Sequence, residues 1–184
     1  LLERVGLTFS VEKPEVDESL HRGERPEDYV KRLSWSKACV VSDRQNEAWV
    51  LAADTTVVSG KRVLGKPADA VEARRMLRQL SGRSHEVLTS FSIISPRKSG
   101  VRLKVACKVA RTAVAFSRLS AEQIEWYINT DEPYDKAGGY AIQGIAGSFI
   151  REIRGSHTNV IGLPVLEVLE SLRRMGYPLP WSTT

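Results

Sequence analysis

Ala48-Trp49-Val50-Leu51-Ala52-Ala53-Asp54-Thr55-Thr56-Val57-Val58-Ser59-Gly60 decides the reading of this chain. The apolar run over Ala48–Ala53 is short and rich in β-formers, which predicts a buried strand. That strand runs directly into Asp54 and two hydroxyl residues, then continues over Thr56–Val58 to a Ser59-Gly60 turn. An acid at the end of an apolar strand has two readings. It caps a turn through its own side chain, or it is a catalytic carboxylate at the edge of a cleft.

The flanking sequence surrounds this strand with helices and further strands. On the N-terminal side, Leu7–Lys13 alternates apolar and polar residues, which predicts a strand. Pro26 opens a helix, where its missing N–H costs nothing, with apolar residues at Val30, Leu33, Val40 and Val41. On the C-terminal side, Asp69 caps a helix over Ala70–Leu80 that Gly82 stops. Glu86–Ile94 and Val101–Val109 read as two long strands joined by a turn at Pro96–Gly100. In the second of these, Val101, Leu103, Val105, Cys107 and Val109 share one face, opposite Arg102, Lys104 and Lys108. Ser120 caps a helix over Ala121–Asn129, Gly147–Ile153 reads as a strand, and Pro164 starts a last helix that ends at Gly176. Hairpins with interspersed helices predict α/β or α+β architecture around a mixed sheet.

Composition narrows the class. The chain has 184 residues, 42% apolar and 27% charged, which suits one soluble globular domain. It has no apolar run long enough to span a bilayer and no signal-peptide pattern, so a cytoplasmic location is expected. Cys39 and Cys107 lie in apolar-periodic segments with no Cys or His at ligand spacing, which predicts buried free thiols. The net charge of +5 is spread without a basic block. It suits an anionic small substrate, and no nucleic-acid-binding motif accompanies it.

Two further features resist explanation as packing. Lys37 shares a helix stripe with Val30, Leu33 and Val41, so it snorkels, pairs, or points into a cleft. Asp131-Glu132-Pro133-Tyr134-Asp135-Lys136-Ala137-Gly138-Gly139-Tyr140 gathers acids, a lysine and two glycines that allow close backbone approach to a ligand. An ordinary polar turn is the alternative. Gly65-Lys66-Pro67 adds a lysine that can neutralise phosphate charge. No Walker loop and no G-x-G-x-x-G fingerprint is present.

The order of these pieces resembles the Maf family of nucleotide pyrophosphatases. The resemblance rests on Leu1–Phe9, Val16-Asp17-Glu18, Lys37-Ala38, Ala53-Asp54-Thr55, Gly65-Lys66-Pro67 and Leu80–His85. It continues through Asp131–Tyr140, Ile142-Gln143-Gly144 and Val160–Pro164, so it covers nearly the whole chain. It implies an α/β fold with a mixed twisted sheet flanked by helices. It also implies two lobes with a cleft, like inosine-triphosphate pyrophosphatases, in a single domain over 1–184. The family's N-terminal strand and Ser-x-Ser-Pro-Arg-Arg loop would precede Leu1, and this sequence lacks them, so no arginine of that loop is carried over.

The implied activity is hydrolysis of nucleoside triphosphates to the monophosphate and pyrophosphate with a divalent cation, Mg or Mn. Asp54 matches the family's proton acceptor, Glu18 an acidic, metal-coordinating position, and Lys37 and Lys66 basic positions that offset phosphate charge. Thr55 and Gln143 match positions associated with base selection; Asp135 and Lys136 match the glycine-rich loop. Glutamine at 143 resembles the branch that cleaves dTTP, UTP and modified pyrimidine nucleotides, whereas glutamate resembles the 7-methyl-GTP branch. The remaining alternatives are another modified base and a non-catalytic regulator of septum formation. The nucleotide is the expected partner, with no membrane or nucleic acid, and a homodimer is the assembly left open.

Overall fold

The structure, a computed structural model, describes residues 1–97 and 99–182. Its principal elements are α1 (Pro26–Arg44), β1 (Val50–Ser59), β2 (Arg62–Leu64), α2 (Ala70–Leu80), β3 (Ser84–Ile94) and β4 (Val105–Phe116). They continue with α3 (Ala121–Ile128), β5 (Ile150–Arg154), the short α4 (His157–Ile161) and α5 (Val165–Met175). The strands form one sheet in the order β2-β1-β3-β4-β5. α/β architecture is therefore present, but the expected mixed sheet is corrected to an antiparallel one. β1 pairs antiparallel with β2 through Val57↔Leu64 and Ser59↔Arg62, and β4 pairs antiparallel with β5. Only ten residues, 95–104, join β3 to β4, too few for the crossover that a parallel neighbour usually needs.

Helix ends follow the sequence signals closely. Pro26 occupies the first turn of α1. The Asp69 side chain accepts the Glu72 N–H, and Ser120 and Gln123 form a reciprocal capping box at α3. Gly176 ends α5 in the left-handed conformation at φ 87°.

Strands depart from the sequence reading where a face or a partner had to be chosen. Leu7–Lys13 forms no strand; Leu7 is buried, but Phe9 and Val11 are exposed, so its alternation does not bury a continuous face. β4 begins at Val105 and runs on to Phe116, with the opposite parity inward. Ala110, Thr112, Val114 and Phe116 are buried, whereas Val101, Leu103 and Val105 are exposed. Alternation gives a period, but not its phase, when both faces carry apolar residues. Cys107 follows its parity outward and is exposed, which corrects the expected buried thiol; Cys39 is half-buried, and both thiols are free. The predicted Gly147–Ile153 strand is shortened to β5, because 145–149 form a 3-10 turn. The predicted Pro96–Gly100 turn includes Lys98, which lies outside the described residues.

The chain divides into two compact units, to both of which β1, β3 and β4 contribute residues. The first comprises Leu1–Asp54, Thr89–Ala110 and Gly162–Thr184; the second comprises Thr55–Leu88 and Arg111–Ile161. Within the first, Phe91 and Ile93 of β3 pack with Val168, Leu172 and Met175 of α5, while Val50 and Ile94 pack with Ala38 of α1. Within the second, Ala73, Leu77 and Leu80 of α2 and Ile124, Tyr127 and Ile128 of α3 pack on Val57, Val87, Val114 and Phe116. No helix among the described residues is long and apolar enough to cross a membrane.

Candidate active site

Strand parity places the central acid. Val50 and Ala52 pack toward Ala38 and Val41 of α1, whereas Leu51 and Ala53 join the cluster around α5. Asp54 shares the parity of Val50 and Ala52, so its carboxylate is presented to α1. On α1, Lys37 lies one turn before Val41 and meets it. The Lys37 ammonium donates to Asp54 Oδ1 at 2.7 Å and lies 2.7 Å from Glu18 Oε1. The Lys37 and Asp54 side chains are 17% and 11% exposed, whereas Glu18 is 59% exposed. Lys37 is thus neither a snorkelling side chain nor a surface charge. It is a cation held between a buried acid and a solvent-facing one.

Burial and pairing act on these groups in opposite directions. For Asp54, burial dominates and holds the carboxyl above its ordinary value despite the Lys37 ammonium beside it. For Lys37, burial works against the charge, but hydrogen bonds to Asp54 and Glu18 outweigh it and raise its pKa. The result is a desolvated carboxylate with raised basicity, fixed in position by a cation. That combination suits a base that takes a proton from water.

Glu18 belongs to an irregular segment that α1 anchors. The Arg32 guanidinium pairs with both Glu24 oxygens at 2.7 and 2.8 Å and donates to the Ser19 carbonyl at 2.8 Å. Tyr29 donates its hydroxyl to the Glu18 carbonyl at 3.0 Å. Hydrogen bonding from Arg32 is the main cause that draws the Glu24 carboxyl down to about 2. Sequence reading missed this clamp. Its signal was the i, i+3 spacing of Tyr29 and Arg32 on the helix that carries Lys37.

The remaining expected residues lie in the second unit. Thr55 is half-buried on β1. Lys66 is exposed in the loop after β2. The Gly138 N–H donates to the Gly65 carbonyl at 2.9 Å, which ties the Lys66 loop to the glycine-rich one. Gly138 has φ 72°, and a Cβ there would lie 3.0 Å from the Val57 side chain, so glycine is required twice over. Asp135 pairs with Lys136 at 2.5 Å, and that hydrogen bond lowers the Asp135 pKa. His85 fixes the end of this loop: its Nε2 lies 2.7 Å from the Tyr140 hydroxyl, both side chains being buried. Gln143 is exposed on a separate turn.

The structure therefore brings Glu18, Lys37 and Asp54 together. It joins the loops of Lys66 and Asp135–Lys136 through their backbone, and leaves Gln143 on a turn of its own. Residues 1–175 match the family described as Maf-like protein, and the chain belongs to that family.

Three relatives cover nearly all of it, each named dTTP/UTP pyrophosphatase. That of Anaeromyxobacter dehalogenans (strain 2CP-C) is 50% identical over 182 residues, 98% of this chain and 90% of the relative. That of Syntrophus aciditrophicus (strain SB) is 48% identical over 176 residues, 96% of this chain and 84% of the relative. That of Myxococcus xanthus (strain DK1622) is 46% identical over 181 residues, 98% of this chain and 89% of the relative.

Proposed function

We propose that this chain hydrolyses dTTP, UTP and modified pyrimidine nucleoside triphosphates to the monophosphate and pyrophosphate, removing unwanted nucleotides from the pool. The observation that carries this reading is the buried Asp54 carboxylate held by Lys37, in a chain whose relatives bear that activity in their names. Asp54 accepts a proton from water as the water oxygen bonds to the α-phosphorus. The bond from that phosphorus to the α–β bridging oxygen breaks, and pyrophosphate leaves with the electron pair. Lys37 offsets negative charge that develops on the phosphate oxygens. Lys66, Asp135 and Lys136 contribute to phosphate recognition, and Thr55 and Gln143 to recognition of the base, as the family positions they match imply. The fold relationship to inosine-triphosphate pyrophosphatases belongs to the same proposal, as does a cytoplasmic place of action.

A divalent cation, Mg or Mn, fits the donor set. No group of three or more His, Cys, Asp or Glu side chains at ligand spacing occurs among the described residues. Mg commonly takes only one or two protein carboxylates and completes its shell with water and substrate phosphates. Glu18, more than half exposed, is the carboxylate that would hold it, with Asp54 left free to take the proton. When bound, the ion neutralises charge on the triphosphate.

The test uses UTP in ¹⁸O-labelled water, with phosphorus NMR of the products. The expected products are UMP carrying the label and unlabelled pyrophosphate. UDP with labelled orthophosphate would overturn the assignment, as would turnover that Asp54→Asn leaves unchanged.

A further inference from the structure

Glu132 lies in the acidic stretch of the sequence, yet none of the roles above uses it. Its side chain turns back into the second unit and accepts three hydrogen bonds. Oε2 takes the Ile145 N–H at 2.6 Å, while Oε1 takes the Ala146 N–H at 3.0 Å and the Tyr127 hydroxyl at 3.0 Å. Two successive backbone amides aimed at one carboxylate form a small anion nest. Here the nest is filled by the protein's own side chain.

The carboxylate also occupies the space beside Gly144. A Cβ built on Gly144 would land among the Glu132 carboxylate atoms. The Gly144 backbone, at φ −107° and ψ −154°, is one that other residues adopt. Glycine stands there because of the space Glu132 takes, not because of a left-handed turn. The chain at 144–146 is therefore wrapped around a fixed carboxylate. Gln143 immediately precedes that wrapped segment, with its side chain exposed and no hydrogen bond of its own among the described residues.

We propose that Glu132 is a specificity-positioning residue: by binding the Ile145 and Ala146 amides it fixes the direction in which Gln143 presents its amide to the nucleotide base. This rests on the reading of Gln143 as the base-selecting residue. An amide selects a base edge only if its donor and acceptor arrive in a fixed orientation, and Gln143 has no side-chain partner among the described residues to supply one. The orientation comes from the backbone that follows, and Glu132 sets that backbone. Charge matters as well as shape, since a carboxylate accepting backbone N–H groups binds more strongly than a neutral amide.

The test compares Gln143→Glu, Glu132→Gln and Gly144→Ala by the ratio of kcat/KM for UTP to that for 7-methyl-GTP. Thermal unfolding confirms that each variant is folded. Glu132→Gln removes the charge and puts an NH₂ group against one of the amides. Gly144→Ala leaves Glu132 intact but displaces its carboxylate by a methyl group, so it reaches the same turn by a separate route. The expected result is that all three lower the ratio, the last two by on the order of ten-fold. A role in stability alone would lower turnover of both nucleotides alike. If Gln143→Glu changes the ratio while whichever of the other two variants folds leaves it within two-fold, the positioning role is overturned and the reading of Gln143 stands. If Gln143→Glu itself leaves the ratio unchanged, the base-selection reading falls, and this inference falls with it.

Discussion

Lys37 and Lys66 are the same residue type, and the fold treats them oppositely. Lys37 is enclosed, with carboxylates of Asp54 and Glu18 each 2.7 Å from its ammonium. Lys66 is exposed, and only the backbone of its loop is fixed, through Gly65 and Gly138. The contrast extends to their surroundings. In the first unit the reactive side chains satisfy one another. In the second, Lys66 and Gln143 face solvent with no side-chain partner among the described residues, and what is fixed there is backbone and buried side chains: Glu132 holds the 144–146 turn and His85 meets Tyr140. Preorganised charge suits bond cleavage, because dipoles set in advance need no reorganisation as charge develops. Open donors on a braced backbone suit recognition, because they remain free to pair with a ligand.

The largest effect should separate these two kinds of residue. Asp54→Asn keeps size and polarity but removes the base, and kcat on UTP should fall roughly a hundred- to ten-thousand-fold with the fold intact. Lys66→Ala should instead raise KM more than it lowers kcat. Steady-state kinetics on both variants decide the matter, and equal losses in kcat would erase the distinction. The wild-type pH profile sharpens the point. Asp54 has a raised pKa because it is buried, so the acidic limb should lie above the ordinary carboxylate range.

Lys37→Met comes next. It leaves Asp54 buried without its cation, which raises the Asp54 pKa further, and it removes charge stabilisation. We expect a loss on the order of a hundred- to a thousand-fold in kcat, together with an upward move of the acidic limb. A variant with the wild-type pH profile would show that the Lys37–Asp54 pair does not set the basicity of Asp54.

The brace behind the second unit is open to a stability measurement. Burial pushes His85 down to about 4 from its ordinary 6.5. Between those values the unfolded chain binds a proton that the native state does not. Stability is therefore complete above pH 6.5 and falls as pH drops through the window, by about 3 kcal/mol. His85→Gln keeps a polar group near Tyr140 but cannot titrate, so this part of the loss should vanish. Urea unfolding between pH 7 and pH 4.5 measures it, and the same slope in both proteins would place the titrating group elsewhere.

The smallest expected effect is on base choice. A glutamine offers a donor and an acceptor to a uracil or thymine edge, and a carboxylate offers acceptors only. Gln143→Glu should shift the UTP to 7-methyl-GTP ratio of kcat/KM by roughly ten- to a hundred-fold toward the guanine nucleotide, with little change in stability. A loss of stability comparable to that from removing a brace would move Gln143 from the recognising side of the contrast to the supporting one.

Local chemistry was enough to determine much of this protein. Pro26, Asp69, Ser120 and Gly176 mark helix ends because each acts on backbone within a few residues of itself, and all four stand where the sequence put them. The Asp54 strand and the out-of-place Lys37 were legible for a related reason, since a charge on an apolar strand or stripe demands an explanation wherever it occurs. Tertiary structure alone decided the rest. Which parity of β4 faces inward depends on what packs against it, so Val101, Leu103 and Val105 lie exposed despite their regular alternation. Leu7–Lys13 has a strand's pattern but no strand's pairing. The partners of Lys37 are 19 and 17 residues away in sequence, and Glu132 reaches 13 and 14 residues to its amides. No local rule links such positions, because their contact exists only after helix and strand have packed.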